Sequence, residues 1–157
     1  MLGGVARTEG PEAAFHIVRK EGELVPEIEI PRRGVTDVEL TEELIHLEQA
    51  KKLGLDNFER VQKSTATLNF LEERGEKELA RALNQLSITT KDRHEIIDNA
   101  IQYAEFERSA KRQLIENKSL QQSNSADWTK IESELRQHEI WHERQIARLN
   151  RVKAKLK

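Results

Sequence analysis

The chain reads as mainly α: an antiparallel helical bundle or long helical hairpin, with an N-terminal extended arm or small β-hairpin. Three observations predict this. Glu, Lys, Arg, Leu and Ala recur at helical spacing while aromatic residues make up only 4% of the chain, the composition of long charged helices. All three prolines (Pro11, Pro26, Pro31) and five of the seven glycines fall within residues 1–35, so the helix-breaking residues are confined to one end. Lastly, the final two amphipathic stretches are joined by a short polar segment, the spacing of antiparallel neighbours. The expected organisation is an arm over 1–35 and a helical domain over 36–157.

With 36% apolar and 34% charged residues across 157 positions, the chain has material for thin helical layers, or for helices completed by a partner, rather than for a thick core. A net charge of −2 exerts no global pull toward nucleic acid or anionic lipid. The absence of cysteine excludes disulfides, thiolate metal sites and thiol nucleophiles. No apolar run approaches the ~18–20 residues of a membrane span, so no membrane partner is expected. The first residues, Met1 to Arg7, lack the apolar stretch of a signal peptide, and Glu9 and Glu12 follow early; the expected location is cytoplasmic, or within an intracellular or virion assembly.

In the arm, Phe15-His16-Ile17-Val18 and Glu27-Ile28-Glu29-Ile30 each read as a short strand, the second with clean alternation. Lys20-Glu21-Gly22-Glu23 between them is a turn signal. Helices are then expected at about 36–53, 56–87, 90–117 and 126–157. Thr36-Asp37-Val38-Glu39 has the capping-box form, Leu40, Leu44 and Leu47 mark the buried side of the first helix, and Gly54 is its stop. Asp56-Asn57-Phe58-Glu59 repeats the capping signal, and Phe58, Val61, Thr65 and Leu68 form the next stripe. Gly75 interrupts that stripe before Leu79, Leu83 and Leu86 resume it. A glycine inside a helix costs only about 1 kcal/mol, so the reading is one continuous helix with a soft point.

Thr89-Thr90-Lys91-Asp92 caps a third helix with two apolar stripes, Ile96/Ala100/Tyr103/Ala110/Leu114 and Ile97/Ile101/Ala104/Ile115. Two stripes place it between neighbours or against a second chain. Ser119 to Asp127 reads as a polar loop, with Ser125 or Asp127 capping the last helix. That helix carries a heptad-like, coiled-coil stripe: Trp128, Ile131, Leu135, His138, His142, Gln145, Leu149, Val152 and Leu156. It is apolar at both ends and polar in the middle.

The polar middle spells His138-Glu139-Ile140-Trp141-His142, the letter pattern of a zinc-peptidase helix, in which two His at i and i+4 hold zinc and the Glu is general base. The resemblance covers five residues. Its flanks depart from the family pattern, with Arg136 before it and Glu143-Arg144 after it, and no His, Asp or Glu after Glu143 supplies a third ligand. A peptidase is therefore not the expectation.

Two further metal readings follow from spacing. Glu43-Leu44-Ile45-His46 and Glu139-Ile140-Trp141-His142 both match the Glu-x-x-His signature of di-metal carboxylate bundles. At about 100° per residue, however, His46 lies roughly 100° or more from the Leu40/Leu44/Leu47 face, which predicts that it points away from the core. The simpler alternative is a single divalent ion, Zn or Fe, on His138, His142 and Glu134. Against these stands a structural role, two imidazoles breaking an apolar seam to set register and oligomeric state. No cofactor is expected in that case.

After Glu143 the chain carries Arg144, Arg148, Arg151, Lys153 and Lys155 and no acid. Phosphate contact with RNA or DNA is one use for such a run; complementing the negative end of the helix dipole is the other. No aromatic base-stacking signature accompanies the cations, and no phosphate-binding glycine loop is present. The expected function is accordingly non-enzymatic. The chain should be an interaction or assembly protein that self-associates, or docks on partner helices, through its long C-terminal helices, as a homo-oligomer or part of a larger assembly. Metal binding and nucleic-acid association are the alternatives.

Overall fold

The computed structural model describes residues 5–8, 13–71 and 75–157. Among them are three strands, β1 (Val5–Thr8), β2 (Ala14–Lys20) and β3 (Glu23–Pro31), and six helices, α1 (Asp37–Leu53), α2 (Leu55–Leu71), α3 (Glu76–Asn84), α4 (Thr90–Ile115), α5 (Lys118–Ser123) and α6 (Trp128–Ala154). The protein is mainly helical with a small N-terminal sheet. It divides into two compact units, Met1–Glu59 with Ser109–Gln137 and Arg60–Arg108 with His138–Lys157. The boundaries fall within α4 and α6 and near the start of α2.

In the first unit, β2 and β3 form the expected hairpin. Lys20 pairs with Glu23 across a two-residue turn, and Glu21 (φ 53°) and Gly22 (φ 83°) both have positive φ. That is the turn whose twist matches antiparallel strands. The sheet order is β1-β3-β2. The parallel β1 was not anticipated; it pairs with β3 only from Ile28 to Pro31. Pro26 therefore lies beyond the stretch that β1 covers, a position where a missing N–H is tolerated. Alternation along β3 buries Pro26 and Ile28. Ile28 sits across from Phe15 in the register, and the Phe15 ring meets Phe58 edge-on, with centroids 5.6 Å apart at 77°. Phe58 and Ile28 are fully buried, so these few residues fasten the sheet to the start of α2.

α1 begins as its sequence predicts, with the Thr36 hydroxyl accepting the Glu39 N–H at 3.1 Å. It ends at Gly54, whose φ of 97° frees its N–H to meet the Ala50 carbonyl at 2.9 Å. The buried side matches the expected one only at Leu47, with Leu40 partly covered. Glu43, His46, Leu47 and Ala50 are buried, whereas Leu44 is 43% exposed. The leucine stripe was a poor guide because polar groups with partners can occupy the covered face, and α1 buries two of them.

α5 corrects a second expectation. The stretch from Ser119 was read as a loop, but Asn117 accepts the Leu120 N–H at 3.0 Å and opens a short helix that buries Leu120. With Leu114, Ile115 and Leu135, Leu120 forms a cluster to which Val38, Ile45, Trp128 and Ile131 add. Local capping by Asn, followed by one buried leucine, outweighed the polar composition.

In the second unit, the continuous helix expected over 56–87 is two helices. α2 ends at Leu71, Gly75 is extended (φ −62°, ψ 169°) and precedes α3. Glu76 and Glu78 in the first turn favour a new start there. Arg93 closes the other end of α3 by donating to the Leu83 carbonyl at 3.0 Å and the Leu86 carbonyl at 2.9 Å. Thr89 caps α4 as predicted, accepting the Asp92 N–H at 3.1 Å. The core of this unit joins Leu68, Leu79, Ala80, Leu83, Ile97, Ala100, Leu149 and Val152.

Because so few large side chains fasten the sheet, Phe58→Ala should lower unfolding free energy by about 3–5 kcal/mol, measured by chemical denaturation.

Candidate functional site

α6 carries most of the residues singled out by the sequence, and the structure separates them into three groups. At its N-terminal end Trp128, Ile131 and Leu135 join the first unit's apolar cluster. At its C-terminal end Leu149, Val152 and Leu156 join the core of the second. Between them His142 and Gln145 are half-buried, while His138 is exposed. The seam is thus covered at its two ends and interrupted at His138, on the first residue of α6 that belongs to the second unit.

His138 and Glu134 both face solvent. His142 turns inward instead, its Nε2 3.8 Å from the Glu107 carboxylate on α4 with both side chains more than four-fifths covered. The three residues proposed from spacing to hold one ion are therefore in different surroundings. Between the two His, Ile140 and Trp141 are 47% and 52% exposed. The sequence reading passed over both because they lie off the stripe. Their position off the stripe is the signal that should have marked them, since bulky apolar residues on the outer face of an amphipathic helix leave apolar surface in water. The Trp141 ring meets that of its neighbour His142 edge-on, with centroids 5.0 Å apart.

The basic end is largely committed to carboxylates. Arg151 grips Glu76 Oε1 through Nε at 2.8 Å and Nη2 at 2.6 Å, Lys155 reaches the other oxygen of Glu76 at 3.3 Å, and Lys153 lies 2.6 Å from Asp98. Hydrogen bonding from Arg151, with help from Lys155 and against a small burial cost, holds the Glu76 carboxyl below its ordinary value; the same bond raises Arg151. Three of the five cations offered for phosphate contact thus tie α6 to the starts of α3 and α4. Arg144 is exposed and Arg148 half-buried, with Arg148 donating to Gln145 at 3.4 Å.

The first unit holds a polar cluster that the sequence reading discounted. His46, predicted to point away from the core, is 4% exposed, and Glu43 is 8% exposed. His46 Nδ1 meets Gln49 Oε1 at 2.8 Å, and its Nε2 lies 3.9 Å from Glu42. The buried Lys111 of α4 donates to that same Glu42 oxygen. An ammonium on the carboxylate supplies the positive charge that a metal ion would otherwise bring. His46 with Glu42 in the first unit, and His142 with Glu107 in the second, are pairs of the donor types that hold divalent cations.

At the junction of arm and helix, Glu39 receives Arg33 at 2.8 Å, the Thr36 hydroxyl at 3.2 Å and the Ala13 N–H at 3.5 Å. Burial alone would raise its carboxyl; the three hydrogen bonds and the Arg33 charge outweigh that and lower it.

Comparison with known proteins finds no matching family model, no matching curated protein and no matching solved structure. Function therefore rests on the side chains themselves. No helix among the described residues is long and apolar enough to cross a membrane.

Two predictions follow from these contacts. Lys111→Met should cost about 3–5 kcal/mol at neutral pH by leaving Glu42 half-buried without its cation. Adding Glu42→Gln should recover much of that loss, and denaturation of the two single variants and the double variant measures the coupling. For Glu76 the folded carboxyl is lowered, so its stabilisation is complete above the ordinary value of 4.5 and is lost as pH falls through the lowered one. Glu76→Gln should accordingly flatten the stability profile below about pH 4.5 and leave its slope near pH 7 unchanged, read from thermal melts across pH.

Proposed function

We propose that the chain is a non-enzymatic helical interaction or assembly protein that self-associates through its long C-terminal helices. The observation that carries this reading is the exposure of Ile140 and Trp141, 47% and 52%, midway along the 27-residue α6. Leaving an indole and a neighbouring isoleucine in water forgoes the roughly 1.5–3 kcal/mol that burial of one large apolar side chain returns. Aromatic side chains are also the residues most often found to dominate protein interfaces.

The arrangement behind this surface is read as an antiparallel helical hairpin of α4 and α6. The Leu114–Leu135 end of the cluster in one unit and the Ile97–Val152 end in the other support that reading, because early residues of each helix accompany late residues of the other.

Three features weigh against an enzyme. Lys111 already neutralises Glu42, Arg151, Lys153 and Lys155 are bound to carboxylates, and His138 stands apart in solvent. Sedimentation velocity over a wide concentration range tests the reading. The wild-type chain should shift to larger species as concentration rises, and Trp141→Ala should weaken that shift at least tenfold, the ~1.4 kcal/mol expected at minimum of an interface anchor. A wild-type protein that stays monomeric throughout would overturn it.

A further inference from the structure

The exposed Trp141 stands beside a covered titratable group. Its indole meets the His142 imidazole edge-on, with ring centroids 5.0 Å apart at 80°. The same imidazole places Nε2 3.8 Å from the Glu107 carboxylate of α4, where the His142 and Glu107 side chains are only 13% and 16% exposed. All three residues belong to the second unit. A separation of 3.8 Å is longer than a hydrogen bond, so imidazole and carboxylate have room to close.

Histidine is the side chain whose ordinary charge change falls between about pH 5 and 8. Glu107 reaches His142 from α4. Along α6 the ionisable side chains within one turn of it are His138, Glu139, Glu143 and Arg144; Glu139 is half-buried and the other three are exposed. A proton gained by His142 therefore arrives next to a covered carboxylate, where attraction is little screened by salt.

Two consequences follow for the indole. A charge-assisted bond from His142 to Glu107 is shorter and stronger than the neutral contact, and it fixes the ring that Trp141 rests on. That ring also becomes a cation within the roughly 6 Å over which an indole attracts one, an attraction that grows when water is excluded. A partner docking over Trp141 excludes water, and an anchor already held in place loses less freedom on docking. Both effects favour association when His142 is protonated.

Resting on the self-association proposed above, we propose that His142 is a pH-sensing positioning residue for the Trp141 surface. Its protonation, held by Glu107, fixes the indole and tightens association as pH falls from about 8 to about 5.5. By reciprocity, association takes up a proton.

Sedimentation velocity at these two pH values and constant ionic strength tests this, with circular dichroism showing the same helical signal at both. Wild type should associate roughly tenfold more tightly at the lower pH, an ordinary size for coupling between two events. His142→Gln, which cannot titrate, should associate with equal strength at both, and Glu107→Gln should lose most of the dependence. His138→Gln removes the exposed histidine one turn away and should keep the wild-type dependence. In dilute monomer, NMR reads the sensor directly: the Trp141 indole N–H resonance should shift with the same midpoint as the His142 ring, and should stop shifting in His142→Gln.

Wild-type association of equal strength at both pH values, or a dependence that survives His142→Gln or Glu107→Gln, overturns the inference and leaves self-association standing. If His142→Gln loses the helical signal, Glu107→Gln and the wild-type NMR titration decide. A chain monomeric at every pH and concentration removes the self-association reading and the regulatory role with it. An indole resonance that ignores the His142 titration overturns the positioning contact whatever the oligomeric state.

Discussion

In a chain with 34% charged and 36% apolar residues, the helices pack around a little enclosed charge, Glu43 and Lys111 being buried with the apolar side chains, and the pairing of that charge constrains how α1 sits. Enclosed charge is tolerated only when paired and hydrogen-bonded. α1 shows the consequence most directly. It turns Glu43 and His46 inward and Leu44 outward, a choice that would be costly without Lys111 on Glu42 and Gln49 on His46. The described buried side-chain nitrogens and oxygens all have a hydrogen-bond partner, so the enclosed charge is accommodated.

The same economy explains the way the apolar residues are divided. Small apolar clusters form in each unit, and α4 and α6 contribute to one in each. The seam of α6 is apolar where it meets these clusters and polar between them. The break at His138, which in the sequence resembled either a metal motif or a register device, falls where the first cluster has ended and the second has not begun.

The cations of the C-terminus are held by Glu76 and Asp98, and the inward His of the zinc-like motif rests against Glu107. The large apolar side chains that are exposed among the described residues are Leu44, Ile140 and Trp141. The proposal of an assembly protein is built on that exposed apolar surface.

Local signals in the sequence determined the helix starts at Thr36 and Thr89, the stop at Gly54, the strands on either side of Glu21-Gly22 and the apolar ends of α6. Capping, φ preference and amphipathic periodicity act over a few residues, so a few residues suffice to read them. Other features were decided only by tertiary structure. The parallel strand β1 depends on an edge supplied by β3, and the short α5 on a place to bury Leu120. The rotation of α1 that hides His46 and shows Leu44 depends on Lys111, 65 positions beyond His46 in the chain. Periodicity records which residues are apolar; which face of a helix is covered is settled by the partners that distant segments bring to it.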